Sequence, residues 1–430
     1  MKKKSNCINV FILTLTLVCV IRESSAQTSS NAPSSSTANG TTISSYRPDQ
    51  INTITTAVPF LMITPDSRAG GMGDVGVATS TDVNSIHWNP SKLGFAEKKM
   101  AVGISYTPWL RALVQDINMA YLSGYYKTKK SGTIAASLRY FSLGNITFTD
   151  NNAQKILDAH PNEFAIDLAY GTKLSDDFSV GAAVRYIRSD LTNGAIVQGV
   201  NTHAGNAIAA DISAIYRRKN IKISDKKATG AIGLNISNIG QKMAYSDAGK
   251  NSDFIPINLR LGGSLDIQLD DYNSLAIAAD VNKLLVPTPP VYAVNDSTKQ
   301  IAYDANGNPI IAKGKDPNRG VTEGIFGSFN DAPGGGKEEL KEINFSLGME
   351  YWYNKLFALR FGYFHEDPTK GDRQFFTLGA GVKYNVFGLD FAFLMPTRQR
   401  NNPLANTLRF SLTFDLDAFK AQNSEEKPVE

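Results

Sequence analysis

Apolar and polar side chains alternate with a period of two over most of the chain between residues 98 and 418, in runs closed off by Gly, Asn, Asp and Pro. Successive side chains of a β-strand point to opposite faces, so each run describes a strand with one apolar and one polar or small-residue face. Residues 408–416 put Leu408, Phe410, Leu412, Phe414 and Leu416 on one face and Arg409, Ser411, Thr413 and Asp415 on the other. Phe164, Ile166, Leu168 and Tyr170 separate in the same way from Ala165, Asp167 and Ala169. Phe376, Leu378, Ala380, Val382 and Tyr384 separate from Thr377, Gly379, Gly381 and Lys383, and the pattern returns at 343–351 and 357–363.

This periodicity predicts about 14 strands, at 98–110, 114–128, 132–149, 163–174, 178–191, 204–218, 226–240, 256–269, 273–286, 342–353, 356–365, 374–385, 386–396 and 406–417. An even count of antiparallel strands is the rule in single-chain bacterial outer-membrane barrels, which also place short turns on one rim and long loops on the other. The second, fourth, eighth, tenth and twelfth connections are short, including the stretches around Lys127, Leu174, Leu269, Tyr353 and Asn385. From the third onward the odd-numbered ones are longer, the extreme being 287–341. The sixth, at 217–227, is longer and basic and fits least well. Tyr140, Phe141, Tyr170, Tyr186, Tyr216, Tyr351, Trp352, Tyr353 and Tyr384 fall near strand ends, where interfacial girdles sit. The expected fold is an all-β transmembrane barrel with both termini on the periplasmic side.

The N-terminal residues follow other rules. Lys2, Lys3 and Lys4 precede an apolar run over 8–21, and Ser24, Ser25 and Ala26 supply small residues for cleavage, so 1–26 reads as a signal peptide. Cys7 and Cys19 both lie within it, which leaves the expected exported chain without a thiol, a disulfide or a Cys-bound metal. Residues 27–50 are rich in Ser, Thr, Asn and Gly and read as a flexible leader; 419–430 read as a charged periplasmic tail. No window approaches the roughly 20 apolar residues of a membrane helix. With 44 basic against 40 acidic residues and no dense basic stripe, nucleic acid is not an expected partner.

Between leader and barrel, residues 67–95 contain Gly71, Gly73 and Gly76 at the G-x-G-x-x-G spacing of dinucleotide-binding loops. That fingerprint requires a strand directly before it and a helix after it within a βαβ unit. Here six residues, 64–69, separate the apolar run 60–63 from the glycines, and barrel strands follow, so nucleotide binding is disfavoured. Glycine also permits close backbone approach, and a lumen of this size is commonly filled by a segment of the same chain. Residues 51–97 are therefore expected to form an N-terminal hatch or plug, followed by the barrel at 98–418. Within it, Arg68 and Asp74 are expected to pair with the polar lumen wall, because an unpaired buried charge is costly.

His87, His160, His203 and His365 are scattered without metal-ligand spacing and read as solvated loop or rim histidines. Asp176-Asp177 and Asp270-Asp271 read as turn formers. No nucleophile elbow or His-Glu-x-x-His is present, so no catalytic residue, metal or cofactor is expected.

Residues 67–95, with Asn89-Pro90 closing the small-residue segment, resemble the hatch of FadL-type outer-membrane barrels; Ser91 stands where that family has alanine. The longer string at 58–95 is more specifically similar to the PorV (LptO) family of the Bacteroidetes type IX secretion system. The resemblance marks Arg68, Gly71, Gly73, Asp74, Gly76, Trp88, Asn89 and Pro90 as a structural or gating hatch motif. It implies a non-enzymatic role: binding the C-terminal signal domain of secreted cargo, taking it from a SprA/Sov-type translocon barrel and delivering it to a PorU-type sortase, in an outer membrane whose lipid is a further partner. Cargo contacts would fall on the extracellular loops, which nothing in the sequence resolves to residues. The alternative is a FadL-like transporter of fatty acids or other hydrophobic compounds. A third class, a lipopolysaccharide-modifying enzyme, lacks a recognisable nucleophile set.

Overall fold

The computed structural model describes residues 41–42, 50–110, 114, 116–128, 132–149, 152, 154–197, 200–246, 252–295, 298, 300–397 and 407–417. The signal peptide, nearly all of the leader and the tail at 419–430 lie outside these residues. Fourteen strands form a closed barrel: β1 (Met100–Pro108), β2 (Asn118–Lys127), β3 (Gly132–Ser142), β4 (Asn162–Lys173), β5 (Phe178–Asp190), β6 (Gly205–Ile223), β7 (Lys226–Gly240), β8 (Asn258–Gln268), β9 (Asn273–Leu284), β10 (Ile343–Tyr353), β11 (Phe357–His365), β12 (Gln374–Tyr384), β13 (Phe387–Pro396) and β14 (Leu408–Asp415). Each strand pairs antiparallel with its neighbours in sequence, and β14 returns to β1 in the register Ala101↔Asp415 to Tyr106↔Phe410. Closure leaves no sheet edge, the condition for carrying strand backbone through lipid.

The alternation sets the faces. Ile104, Leu122, Ile166, Leu168, Ile208, Leu234, Leu261, Leu347, Leu378 and Leu389 are exposed on the outer surface. The intervening residues, among them Ser105, Ser123, Arg139, Asp167, Arg185, Asp211, Asp280, Glu350, Arg360 and Ser411, are buried on the inside.

The two rims differ sharply. The even connections, 128–131, 174–177, 224–225, 269–272, 354–356 and 385–386, span two to four residues, whereas the odd ones, 109–117, 143–161, 191–204, 241–257, 285–342, 366–373 and 397–407, span eight to 58. Ser224, Asn354, Lys355 and Asn385 adopt positive φ in the short turns, the left-handed backbone that tight hairpins require. Asp270 accepts from the amides of Tyr272 and Asn273 at 2.9 and 2.8 Å and so builds its turn.

Several boundaries differ from the expected ones. The sixth connection is not long: β6 and β7 run on until only Ser224 and Asp225 remain between them. Residues 132–149 are not one strand. β3 ends at Ser142, Gly144 takes φ 79°, and Ile146–Thr149 pairs with Lys155–Ala159 as a separate hairpin. Phe141 and Trp352 face inward: Phe141 is buried against Phe60 with ring centroids 6.2 Å apart, and the Trp352 ring lies 5.6 Å from the Arg360 guanidinium. The first described residues, Thr41–Thr42, pair with Val294–Asn295 at the long-connection rim, and β14 ends at the opposite one. The two termini themselves, expected on the periplasmic side, lie outside the described residues.

The connection 285–342 has structure of its own: α3 (Val321–Gly327), α4 (Gly336–Lys341) and a ribbon of Val291–Tyr292 with Ile311–Lys313. If this rim faces the outside, a single cysteine at Tyr303 is labelled on intact cells by a membrane-impermeant maleimide, and one at Ser224 only after permeabilisation. The opposite pattern would invert the orientation.

Candidate functional site

Residues 51–97 run through the lumen from one rim to the other. At the long-connection rim the Asn52 amide donates to the Thr369 carbonyl and the Ala57 amide to the Phe254 carbonyl, both at 2.9 Å. At the short-turn rim Lys127 Nζ donates to the Ala96 carbonyl at 2.9 Å, and the Arg217 guanidinium lies 4.2 Å from the Phe95 ring. Between them the segment bonds to inward side chains around the whole wall, including Ser123 on β2, Ser179 on β5, Ser264 on β8, Asp280 on β9 and Thr377 on β12.

Its short elements have local causes. α1 (Ser67–Gly70) is capped by Asp66, whose carboxylate accepts from the Ala69 amide at 2.9 Å. α2 (Ser85–Trp88) leads to Asn89, whose side chain accepts from the Ser91 amide and opens the 3-10 turn Pro90–Phe95, with Pro at its first position.

The glycines pack against the wall. Gly73 has φ 70°, and a Cβ there would stand 2.6 Å from the Tyr363 amide nitrogen; its own amide donates to Thr377 Oγ1 at 2.9 Å. A Cβ on Gly71 would meet the Gly379 Cα at 3.0 Å, and one on wall residue Gly362 would lie 2.0 Å from the Gly73 nitrogen. Gly76 lies beneath the Trp88 ring. The Gly76 and Val77 amides do grip an anion, at 2.8 and 3.0 Å, but it is the Asp280 carboxylate of this same chain.

The charged residues of the motif tie the segment to distant strands. Arg68 makes a bidentate pair with Glu350, Nε at 3.0 and Nη2 at 2.7 Å, and reaches Asp82 at 2.9 Å and both Ser80 oxygens. Glu350 is shared with Arg360 at 2.7 Å, which continues to Asp390 at 2.6 Å. Asp74 meets Arg409 of β14 at 3.2 Å. Trp88 donates its indole N–H to Asp66 at 2.7 Å, while the Arg260 guanidinium sits 4.5 Å from its ring. Asn89 Nδ2 donates to the Val77 carbonyl at 2.8 Å, and the Ser91 amide donates to Ser213 Oγ of β6 at 2.9 Å. The eight motif residues thus share one segment but form two anchor groups. Arg68, Gly71, Gly73 and Asp74 face the β10–β14 wall, whereas Trp88, Asn89 and Pro90 face β5, β6 and β8, with Gly76 between them.

His87 corrects the expectation of a solvated histidine. It is buried, and Arg139 donates to its Nδ1 at 2.6 Å, which makes that ring nitrogen an acceptor. Lys92 is buried and donates to the Gly76 carbonyl and Thr79 Oγ1, both at 2.9 Å. Sequence reading missed Asp66, Lys92, Asp280, Glu350 and Arg360. Glu350 and Arg360 carried a signal, each being the single Asp, Glu, Lys or Arg of its strand and lying at an inward position.

A cavity of about 370 Å³ remains at the short-turn rim, between residues 80–84 and the β10–β14 and β1 wall, with Arg68, Asp82, Trp352, Arg360 and Asp390 among its lining. Its guanidiniums are already paired with carboxylates. Among the described residues no group of three or more His, Cys, Asp or Glu is arranged to hold a metal ion.

A second buried charge cluster secures the long connection. Lys283 meets Glu339 and Glu342 at 3.0 and 2.6 Å, Lys370 meets Glu338 and Glu342 at 2.6 and 3.0 Å, and Asn52 donates to Glu338 at 2.9 Å. The rim above it exposes Phe326 at 75%, Leu340 at 62% and Phe329 at 50%.

A closed antiparallel barrel with an apolar exterior and a lumen filled by its own N-terminal segment defines an outer-membrane β-barrel. The chain belongs to the PorV family: residues 46–291 match the family described as type IX secretion system protein PorV. No curated protein sequence matches. Among solved structures, the Ralstonia pickettii toluene transporter TbuX aligns with TM-score 0.43 and 12% identity over 81% of this chain and 96% of its own. The Pseudomonas putida toluene transporter TodX gives 0.43 and 12% over 85% and 98%, and a Pseudomonas aeruginosa FadL homologue 0.40 and 11% over 85% and 99%.

Arg68→Met leaves Glu350 short of a partner inside the wall, and removing one member of a buried pair costs about 3–5 kcal/mol. Hydrogen exchange at residues 66–90 is expected to accelerate, and Arg68→Met combined with Glu350→Leu to recover part of the loss; unchanged protection in the single variant would remove the anchoring role. Gly73→Ala adds left-handed strain of about 1–3 kcal/mol to the clash with Tyr363 and is expected to lower the thermal midpoint, whereas Gly307→Ala, in an open turn, is expected to leave the segment's exchange unchanged.

Proposed function

We propose that this barrel is a non-catalytic shuttle of the type IX secretion system, which binds the C-terminal signal domain of secreted cargo at its long-connection rim, receives it from the translocon barrel and hands it to the cell-surface sortase. In this reading residues 51–97 act as a hatch that keeps the lumen closed while binding takes place outside. Family membership supports the secretion assignment.

The observation that carries the binding site is the rim itself. Its longest connection is fixed by the Lys283, Lys370 and Glu342 cluster and presents Phe326, Phe329 and Leu340 to solvent. Exposed aromatic and aliphatic side chains on a rigid, charge-pinned platform suit protein recognition. The alternative, transport of hydrophobic compounds, requires an apolar path, and the described wall around the cavity is rich in paired charges.

The test is recovery of the tagged protein from outer membranes in mild detergent, followed by mass spectrometry. The wild type is expected to bring down a translocon barrel, a sortase or secreted proteins sharing a C-terminal domain. Phe326→Ser with Phe329→Ser and Leu340→Ser is expected to lose at least about tenfold of them, the scale of a few interfacial anchors, while the barrel still inserts. Recovery of the barrel alone, carrying a lipid-like ligand, would transfer the assignment to the transporter.

A further inference from the structure

The sixth connection, which fitted the membrane pattern least well in sequence, has an unusual construction. β6 pairs with β5 only as far as Tyr216↔Phe178, but with β7 it continues to Ile223↔Lys226. The β6–β7 hairpin therefore extends past its β5 neighbour on the short-turn rim.

Within the extension the register slips between Arg218↔Gly230 and Ile221↔Ala228. One extra residue on β6 reverses which side chains face out. Before the slip Ile208, Ile212 and Tyr216 lie on the outer surface; strict alternation would continue with Asn220 and Lys222. After it, Ile221 and Ile223 take the outer face. Gly230, in the same outer row as Ile232 and Leu234, would place a Cβ 3.0 Å from Ile221 Cδ1. The bulge thus carries the apolar belt further down the hairpin.

The same slip sets Lys222 directly opposite Lys227. Like charges at opposed positions destabilise a ladder unless an anion lies between or beside them. Lys219, Lys222, Lys226 and Lys227 are all exposed, and none has a carboxylate within ion-pair distance among the described residues. Lys226 Nζ donates to the Leu269 carbonyl and lies close enough to Asp270 for their charges to interact. Asp177 holds Arg218 at 2.8 Å, and the Asp270 carboxylate is engaged by Tyr272 and Asn273. Asp225 in the turn offsets one lysine of the four.

We propose that the 218–227 hairpin is a binding surface for anionic phospholipid headgroups of the leaflet at the short-turn rim, with Ile221 and Ile223 among the acyl chains, Lys226 beside Ile223 on the outer face, and Lys219, Lys222 and Lys227 reaching the phosphates from the hairpin's end. Outward aliphatics continuous with the lipid-facing wall argue for a lipid over a soluble anion, and a hairpin end whose lysines form no ion pair among the described residues argues for an anionic headgroup.

The experiment equilibrates the full chain in mixed micelles with equal phosphatidylglycerol and phosphatidylcholine and counts retained lipids by native mass spectrometry. The wild type is expected to retain phosphatidylglycerol over phosphatidylcholine by at least about fivefold, with the preference shrinking as salt rises. Changing Lys219, Lys222, Lys226 and Lys227 to Gln is expected to abolish the preference while heat-modifiable migration shows an intact barrel. Ile221→Ser with Ile223→Ser lowers retention of both lipids. No preference in the wild type, or the same preference in the lysine variant, overturns the proposal. So does equal protection of the lysines from acetylation by inorganic phosphate, which marks a free-anion site, or an acidic protein captured through the lysines in place of the lipid preference.

Discussion

Closing 14 strands creates a lumen that the wall's own side chains do not fill, and this constraint shapes the rest of the molecule. The chain fills the space with backbone. Gly71 and Gly73 press against Gly379 and Gly362, main chain on main chain; a Cβ on Gly73 or Gly362 would clash outright, and one on Gly71 or Gly379 would force its neighbour aside. Such contact fixes the segment's position more tightly than side-chain packing alone, because neither surface has a rotamer to adjust. The glycine spacing that looks like a nucleotide loop is a fit to a β-wall, and its two anion-gripping amides are satisfied by Asp280.

Charge satisfaction follows from the same enclosure. Once the lumen is filled, the inward Arg, Asp and Glu of the wall lose water and must find each other or the segment. Asp82, Arg68, Glu350, Arg360 and Asp390 form one alternating chain, and Arg185 with Asp167 and Asp211 another. The first spans segment and wall, so displacing residues 66–82 would uncover several charges together. The luminal segment is therefore coupled to the barrel as a unit.

The strands were legible because the two faces meet different solvents, which writes a two-residue period into every one of them. Details that depend on a single inserted residue were not. Nothing in the composition of 217–227 announces the slip at Arg218, so its lysines read as a loop. Phe141 and Trp352 read as girdle residues because aromatic identity does not reveal parity near a strand end. The motif residues were found as a local string, while their partners were not: Arg68 and Glu350 are 282 positions apart, and only a closed barrel brings them together. His87 read as solvated because one histidine in a polar stretch carries no sign of burial.

The separation between the luminal segment and its partners also bears on how the molecule is made. Ser67 bonds to Ser411 across 344 residues, and Asp74 pairs with Arg409 on the last strand. The first part of the chain to be synthesised thus finds its anchors only when the last strand is in place. Because the segment passes through the lumen and continues directly into β1, the closed barrel and the segment complete each other's contacts only once β14 has met β1. Contacts this distant in sequence carry a large loop-closure entropy and place barrel closure late in folding. The luminal segment then serves as a mandrel, and a chain that closes without it would have to thread the residues before β1 end-first through a completed ring.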